Sequence, residues 1–195
     1  MTETPNPNVT SNDEALLNAV DDFLMEHEKF RENAYQIEQK DGTLGNPTIG
    51  YGFEFYGDEQ TRVQMGETMT KEEAKPLLRQ KTNAIHNFLK KYPTYNEMSD
   101  REKVGIISFA FNNGVNVFDD PVNPNIRAAL DSGNMNDIQY WMRQFIKGES
   151  MKPELGLMNR REAEIKFMND PTKLYNPFGE TVNVNPTSAS ETTAP

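Results

Sequence analysis

Apolar residues near the start of the chain recur at helical spacing. Leu16, Val20, Phe23, Leu24 and His27 follow one another at steps of three and four, or one, as on a helix with one buried face. Just ahead of them, Ser11-Asn12-Asp13-Glu14 reads as a capping box, with Ser11 as N-cap. Glu28 stands four residues after Leu24 and eight after Val20, so it projects from the apolar stripe near the helix's C-terminal end. From residue 33 to residue 57 the helical period is lost. Asp41-Gly42 and Gly45-Asn46-Pro47 are turn signals there, flanked by Tyr35-Gln36-Ile37 and by Thr48 to Phe55. This pattern predicts a small, irregular antiparallel sheet.

Helical patterning returns at Thr70-Lys71-Glu72-Glu73, a second capping box, and continues through Leu77, Leu78, Ile85 and Leu89. Pro76 lacks a backbone donor, which predicts a later start or a bend in this helix. Ser99-Asp100-Arg101-Glu102 is a third box. Beyond it Val104, Ile106, Ile107, Phe109, Ala110 and Phe111 are apolar almost all round, as in a central helix buried on several sides, and Asn112-Asn113-Gly114 stops it. Asn123-Pro124 opens a short helix ending near Gly133, and Ile138, Trp141, Met142 and Phe145 mark another. Gly156-Leu157 leads into a last charged helix from Asn159 to Met168, closed by Asp170-Pro171.

The order is helix, small sheet, then about six helices: an α+β fold with the sheet gathered near one end. Residues 1–10 read as a flexible arm and residues 176–195 as a low-complexity tail rich in Ser, Thr and Pro. Between them, residues 11–175 form one domain, with a sheet lobe at about 33–57 and a helical lobe at about 70–170. A cleft between the lobes is the natural place for a site.

Charge and composition narrow the function. A net charge of -10 argues against non-specific binding to nucleic acid or to an anionic membrane. The chain has no cysteine and two histidines, which argues against a thiolate or histidine metal centre, and no cofactor is implied. No apolar run reaches membrane-spanning length, and the first ten residues carry neither a basic nor an apolar signal segment.

Glu28 is the first candidate for chemistry. It either faces solvent or pairs with Arg31 or a distant arginine, or it is a partly buried carboxyl group. Burial disfavours the charged form of a carboxyl, which is what a general acid requires. Glycoside hydrolysis usually adds a second carboxylate, about 6.5–9.5 Å away in the inverting geometry. A sheet packed against the helix would supply it from Asp41 or Glu38, although Asp-Gly is also a common turn dipeptide.

Glu28, Tyr35, Gly45 three residues before Thr48, and Thr48-Ile49-Gly50-Tyr51-Gly52 together resemble the N-terminal signature of phage-type lysozymes (endolysins), glycoside hydrolase family 24. Residues Ile107 to Gly114 resemble that family's S-F-x-F-N-x-G pattern, and Gly156 to Glu164 its G-L-x-x-R-R-x-x-E pattern. The resemblance spans roughly residues 15 to 170. It implies a lysozyme-like fold and cleavage of the β-1,4 bond between N-acetylmuramic acid and N-acetylglucosamine in peptidoglycan. The family's catalytic glutamate matches Glu28. Its threonine, near the attacking water, matches Thr48. Its aspartate falls nine residues after the glutamate and six before the threonine, positions held here by Ile37 and Gly42. The connecting loop is therefore longer by about five residues. Asp41 is preferred over Glu38 because the strand bearing Thr48 should keep register better than the loop before it.

The other motif residues read as structural. Asn112 either caps its helix or lines the cleft, and Arg160 and Arg161 either pair with acidic groups near the site or form the ordinary surface pairs usual on a terminal helix. Trp141 reads as core, and Phe53 either narrows the cleft or packs. Two alternatives to a lysozyme stay open: a lytic transglycosylase using Glu28 alone, and a virion structural protein of lysozyme-like fold. In the latter the arm and tail bind neighbouring virion proteins. The expected location is the host cytoplasm before release to the wall, or the virion.

Overall fold

The computed structural model describes residues 11–39, 41–57, 60–147 and 153–170, without the side chains of Ser11 and Asn12. The arm, the tail and the side chain of the first N-cap candidate lie outside the described residues. Helix α1 spans Ser11–His27. It buries Leu16, Leu17, Val20, Phe23 and Leu24 against helices α2 and α4 introduced below. Asp21, also on this face, is buried because Arg79 Nε and Thr82 Oγ1 donate to it at 2.7 and 2.8 Å.

The sheet is smaller than its flanking turns suggest. Strand β1 (Arg31–Tyr35) pairs antiparallel with β2 (Thr48–Gly50), Arg31 opposite Gly50 and Tyr35 opposite Thr48. Four residue steps on β1 therefore answer two on β2, a bulge that bends the ribbon. The rest of the expected sheet consists of isolated bridges, Glu38 with Leu44 and Phe55 with Arg62 among them. Gly50 has φ 64°, and a Cβ there would stand 3.0 Å from both Met69 Sδ and the Phe53 ring, so the Thr-Ile-Gly turn demands glycine.

Helix α2 runs over Lys71–Leu89 and begins ahead of Pro76, so the expected late start does not occur. The capping box of Thr70 and Glu73 sets its start, and the buried face of Ala74, Leu78, Ile85 and Leu89 holds it. The proline removes only one ladder bond, the one to the carbonyl four residues earlier. A short helix α3 (Pro93–Glu97), not foreseen from the pattern, turns the chain into α4 (Asp100–Asn113), which carries the Ser99–Glu102 box. Seven consecutive residues of α4, Val104 to Ala110, are buried, as the all-round apolar pattern requires. After Gly114 a 3-10 turn over Val115–Phe118 leads to α5 (Pro124–Ser132), ended by left-handed Gly133, and then to α6 (Met135–Met142).

Helix α7 spans Leu155–Asn169, starting four residues before the expected Asn159. It lies against α4 at Gly105, where a Cβ would come within 2.4 Å of Met168 Cγ. One apolar core joins α1, the sheet segment, α2, α4, α5 and α6, with Trp141 packed partly buried at its edge. The architecture is α+β. Among the described residues no helix is long and apolar enough to cross a membrane.

Candidate active site

Glu28 sits one residue beyond α1, and its N–H still donates to Leu24 O at 2.7 Å, so the last helical turn aims the side chain. Its Oε1 accepts from Arg160 Nη1 at 2.9 Å, across 132 residues of sequence. The Glu28 side chain is 23% exposed and that of Arg160 8%. This is the distant-arginine arrangement, in a half-open position rather than an apolar one.

Arg160 is itself held from behind. Its Nε donates to Glu164 Oε1 at 3.0 Å and its Nη2 to Ser108 Oγ at 2.9 Å, while Ser108 Oγ donates to Glu164 Oε1 at 2.7 Å. Arg161 Nη2 reaches the same Glu164 oxygen at 3.1 Å and Asn112 Oδ1 at 2.9 Å, and its guanidinium lies 4.9 Å from the centroid of the Phe109 ring. Two guanidiniums thus face two carboxylates, and Glu164 and Arg161 are fully buried. Burial pushes the Glu164 carboxyl up and the Arg161 guanidinium down from their ordinary values, and their mutual attraction opposes both shifts. Of the two readings of Arg160 and Arg161, pairing with acidic groups near the site holds, and the surface-pair reading is corrected. The two arginines form the buried seam between α4 and α7, where unpaired charge would be costly. Ser108 and Glu164 belong to the two later motifs, and neither motif by itself implies a role for them. The signal available was spacing, since Arg160, Arg161 and Glu164 fall on one helical face.

Thr48 opens β2, partly buried, and its Oγ1 donates to Asn46 O at 3.1 Å. The pairing of Arg31 with Gly50 runs the chain leaving Glu28 alongside the strand that begins at Thr48. Asp41 is exposed at the hairpin tip, where Oδ1 accepts from Thr43 N at 2.9 Å and Thr43 Oγ1 at 2.6 Å. Those bonds hold its carboxyl below the ordinary value. Glu38 is exposed and lies in the bridge to Leu44. Among the described residues neither Asp41 nor Glu38 makes a hydrogen bond or ion pair with Glu28.

A cleft of about 920 Å³ opens along the residues that follow the Thr48 strand, and Glu28, Thr48, Asp41 and Arg160 are not among those that line it. Gly52 to Gly57 form one wall, residues of α2 from Leu77 to Phe88 another, and Ala110, Phe111, Gly114 and Val115 close it. Phe53 both lines the cleft and is buried, edge-on to Tyr51 with ring centroids 6.4 Å apart, so it packs and narrows at once. Asn112 follows cleft-lining Phe111 and is exposed, but its carboxamide oxygen is taken by Arg161.

Residues 25–164 match the family model described as phage lysozyme. Among solved structures, the muramidase domain of SpmX from Asticaccaulis excentricus superposes with a TM-score of 0.60 at 22% identity, covering 78% of this chain and 96% of that one. The endolysin from Escherichia coli O157:H7 phage FAHEc1 gives a TM-score of 0.59 at 22% identity, covering 85% of this chain and 97% of that one. At such identities the likeness is one of fold. No curated protein sequence matches the chain.

Proposed function

Because the chain belongs to the phage lysozyme family, whose members are muramidase-type glycoside hydrolases acting on peptidoglycan, we propose that Glu28 is its general acid. The bond cleaved is the β-1,4 bond between N-acetylmuramic acid and N-acetylglucosamine. The observation that carries this reading is the single engaged oxygen of Glu28. Arg160 donates to Oε1 and orients the carboxyl group, and among the described residues no donor reaches Oε2, the oxygen to which this reading assigns the proton. That proton passes to the glycosidic oxygen as its bond to the anomeric carbon of the muramic acid breaks. A water attacks the anomeric carbon from the opposite face, oriented by Thr48, and Asp41 takes its proton. Residues 11–175 act as the catalytic domain in this reading.

Glu28→Gln should lower the release of reducing ends from purified cell walls by at least about 10²-fold, while the thermal melt stays close to wild type. Full activity in that variant would exclude Glu28 as the acid. A second reading follows from the engagement of Asp41 by Thr43. If that carboxylate stays in its turn, Glu28 alone supports a lytic transglycosylase. Mass spectrometry separates the two, since hydrolysis leaves hydrated reducing ends and transglycosylation a product lighter by one water.

The biological setting we infer is phage-mediated bacterial lysis or wall penetration. Detection of the protein in purified particles would favour a virion component held through the arm and tail; absence would favour a free endolysin.

A further inference from the structure

The carboxylates on either side of Thr48 each keep one oxygen that no donor reaches among the described residues, but only Glu54 lines the cleft. Asp41 receives both bonds from Thr43 inside its own turn. Glu54, six residues after Thr48, accepts one bond through Oε2, from Asn46 Nδ2 at 2.9 Å. Among the described residues no donor reaches its Oε1. Glu54 is exposed and is the only carboxylate among the residues that line the cleft.

Its position is well fixed for an exposed side chain. The Glu54 carbonyl accepts from Val63 N at 3.0 Å. On one side Phe53 is buried against Gly50, and on the other the Phe55 ring lies under Arg62 with 4.5 Å from guanidinium carbon to centroid. Asn46, which orients the carboxylate through its amide, also accepts the Thr48 hydroxyl through its backbone carbonyl. One residue therefore ties Thr48 to a carboxylate with an open oxygen in the cleft. Hydrogen bonds to an ionised acceptor are the stronger class, and a pre-oriented acceptor loses little freedom in making one.

We propose that Glu54, oriented by Asn46, is a substrate-contacting residue whose Oε1 accepts a hydrogen bond from a donor on the bound peptidoglycan strand. The donor is a sugar hydroxyl, an acetamido N–H, or an amino group of the stem peptide. This rests on the muramidase reading above, and it adds a specificity residue on the sheet-side wall.

The test uses the full chain in a Glu28→Gln background, so that binding is measured without turnover. The probes are purified insoluble peptidoglycan and soluble glycan strands stripped of peptide by an amidase. Glu54→Ala lowers affinity by about tenfold or more. Asn46→Ala lowers it by less, and melting temperatures stay near the parent's. In the active enzyme the Glu54→Ala loss appears in KM while kcat holds. Equal loss on both probes assigns the donor to the sugars, and loss confined to intact peptidoglycan assigns it to the stem peptide. Unchanged affinity on both probes overturns the proposal, as does a fall in kcat at constant KM. A Glu28→Gln parent that binds neither probe overturns the muramidase reading and this proposal together, which keeps the two failures distinct.

Discussion

The hairpin bearing Asp41 and Thr48 is held together by sequence neighbours, whereas the helices that hold Glu28 are joined by residues far apart in the chain. In the hairpin, Thr43 donates to Asp41 across 2 residues, Gln36 to Gly45 across 9 and Asn46 to Glu54 across 8. In the helical seam, Arg161 reaches Asn112 across 49 residues, Arg160 reaches Ser108 across 52, and Arg160 reaches Glu28 across 132. The hairpin bonds are mostly exposed and the seam is mostly buried. Water can replace a lost partner in the first region but not in the second, so the same chemical change carries different costs.

Glu164→Gln tests the seam hardest. It keeps the side chain's shape but leaves two guanidiniums, one fully buried, facing Glu28 alone. Chemical denaturation should show a loss of about 3–5 kcal/mol in stability. A wild-type midpoint would mean that the seam contributes little.

Asp41→Asn probes the hairpin, and stability should change by less than about 0.5 kcal/mol because the amide oxygen still accepts from Thr43. Activity on purified walls should fall by about 10²-fold if this carboxylate takes the water's proton. Normal activity would remove Asp41 from the mechanism.

The smallest expected effect is in pH dependence. His86 is 2% exposed, between Tyr95 Oη at 2.7 Å and Asp13 Oδ1 at 3.2 Å, with Lys90 and Lys103 also acting on it. Burial lowers its pKa from the ordinary 6.5, outweighing the pull of Asp13. Below about 6.5 the unfolded chain therefore takes up a proton that the folded chain resists. Stability should decline as pH falls from 7 towards the folded value (roughly neutral into the acid range) and then level off. Melting curves of His86→Gln should lack this step. On the hairpin, the depressed Asp41 carboxyl stays ionised to below 3.8, so its loss of stabilisation falls at more acid pH.

Much of the helical framework was legible because its signals are local. The capping boxes at Thr70 and Ser99 need only residues three apart, and both appear in the fold. The later start expected from Pro76 does not occur because one missing bond weighs less than a long buried face that periodicity does not quantify. The pattern leaves the arginines between a site role and a surface role because charge on a helix reads as solvent-facing until a partner helix closes over it. Glu54 belongs to no motif and Asn46 only to a turn signal, and their pairing depends on how the chain turns after Gly52.

By itself, then, the chain determined the order of most helices, the capping boxes that open two of them, that a small irregular sheet interrupts them, and which glutamate and threonine to consider. The structural features follow from steric and hydrogen-bonding preferences acting over a few residues, and the choice of threonine from the resemblance to the lysozyme signature. Tertiary structure alone decided that Glu28 meets Arg160, that Glu164 lies beneath both arginines, and that Glu54 faces the cleft. Those facts depend on which distant surfaces exclude water together, and no local pattern encodes the closeness of α4 and α7 that Gly105 permits.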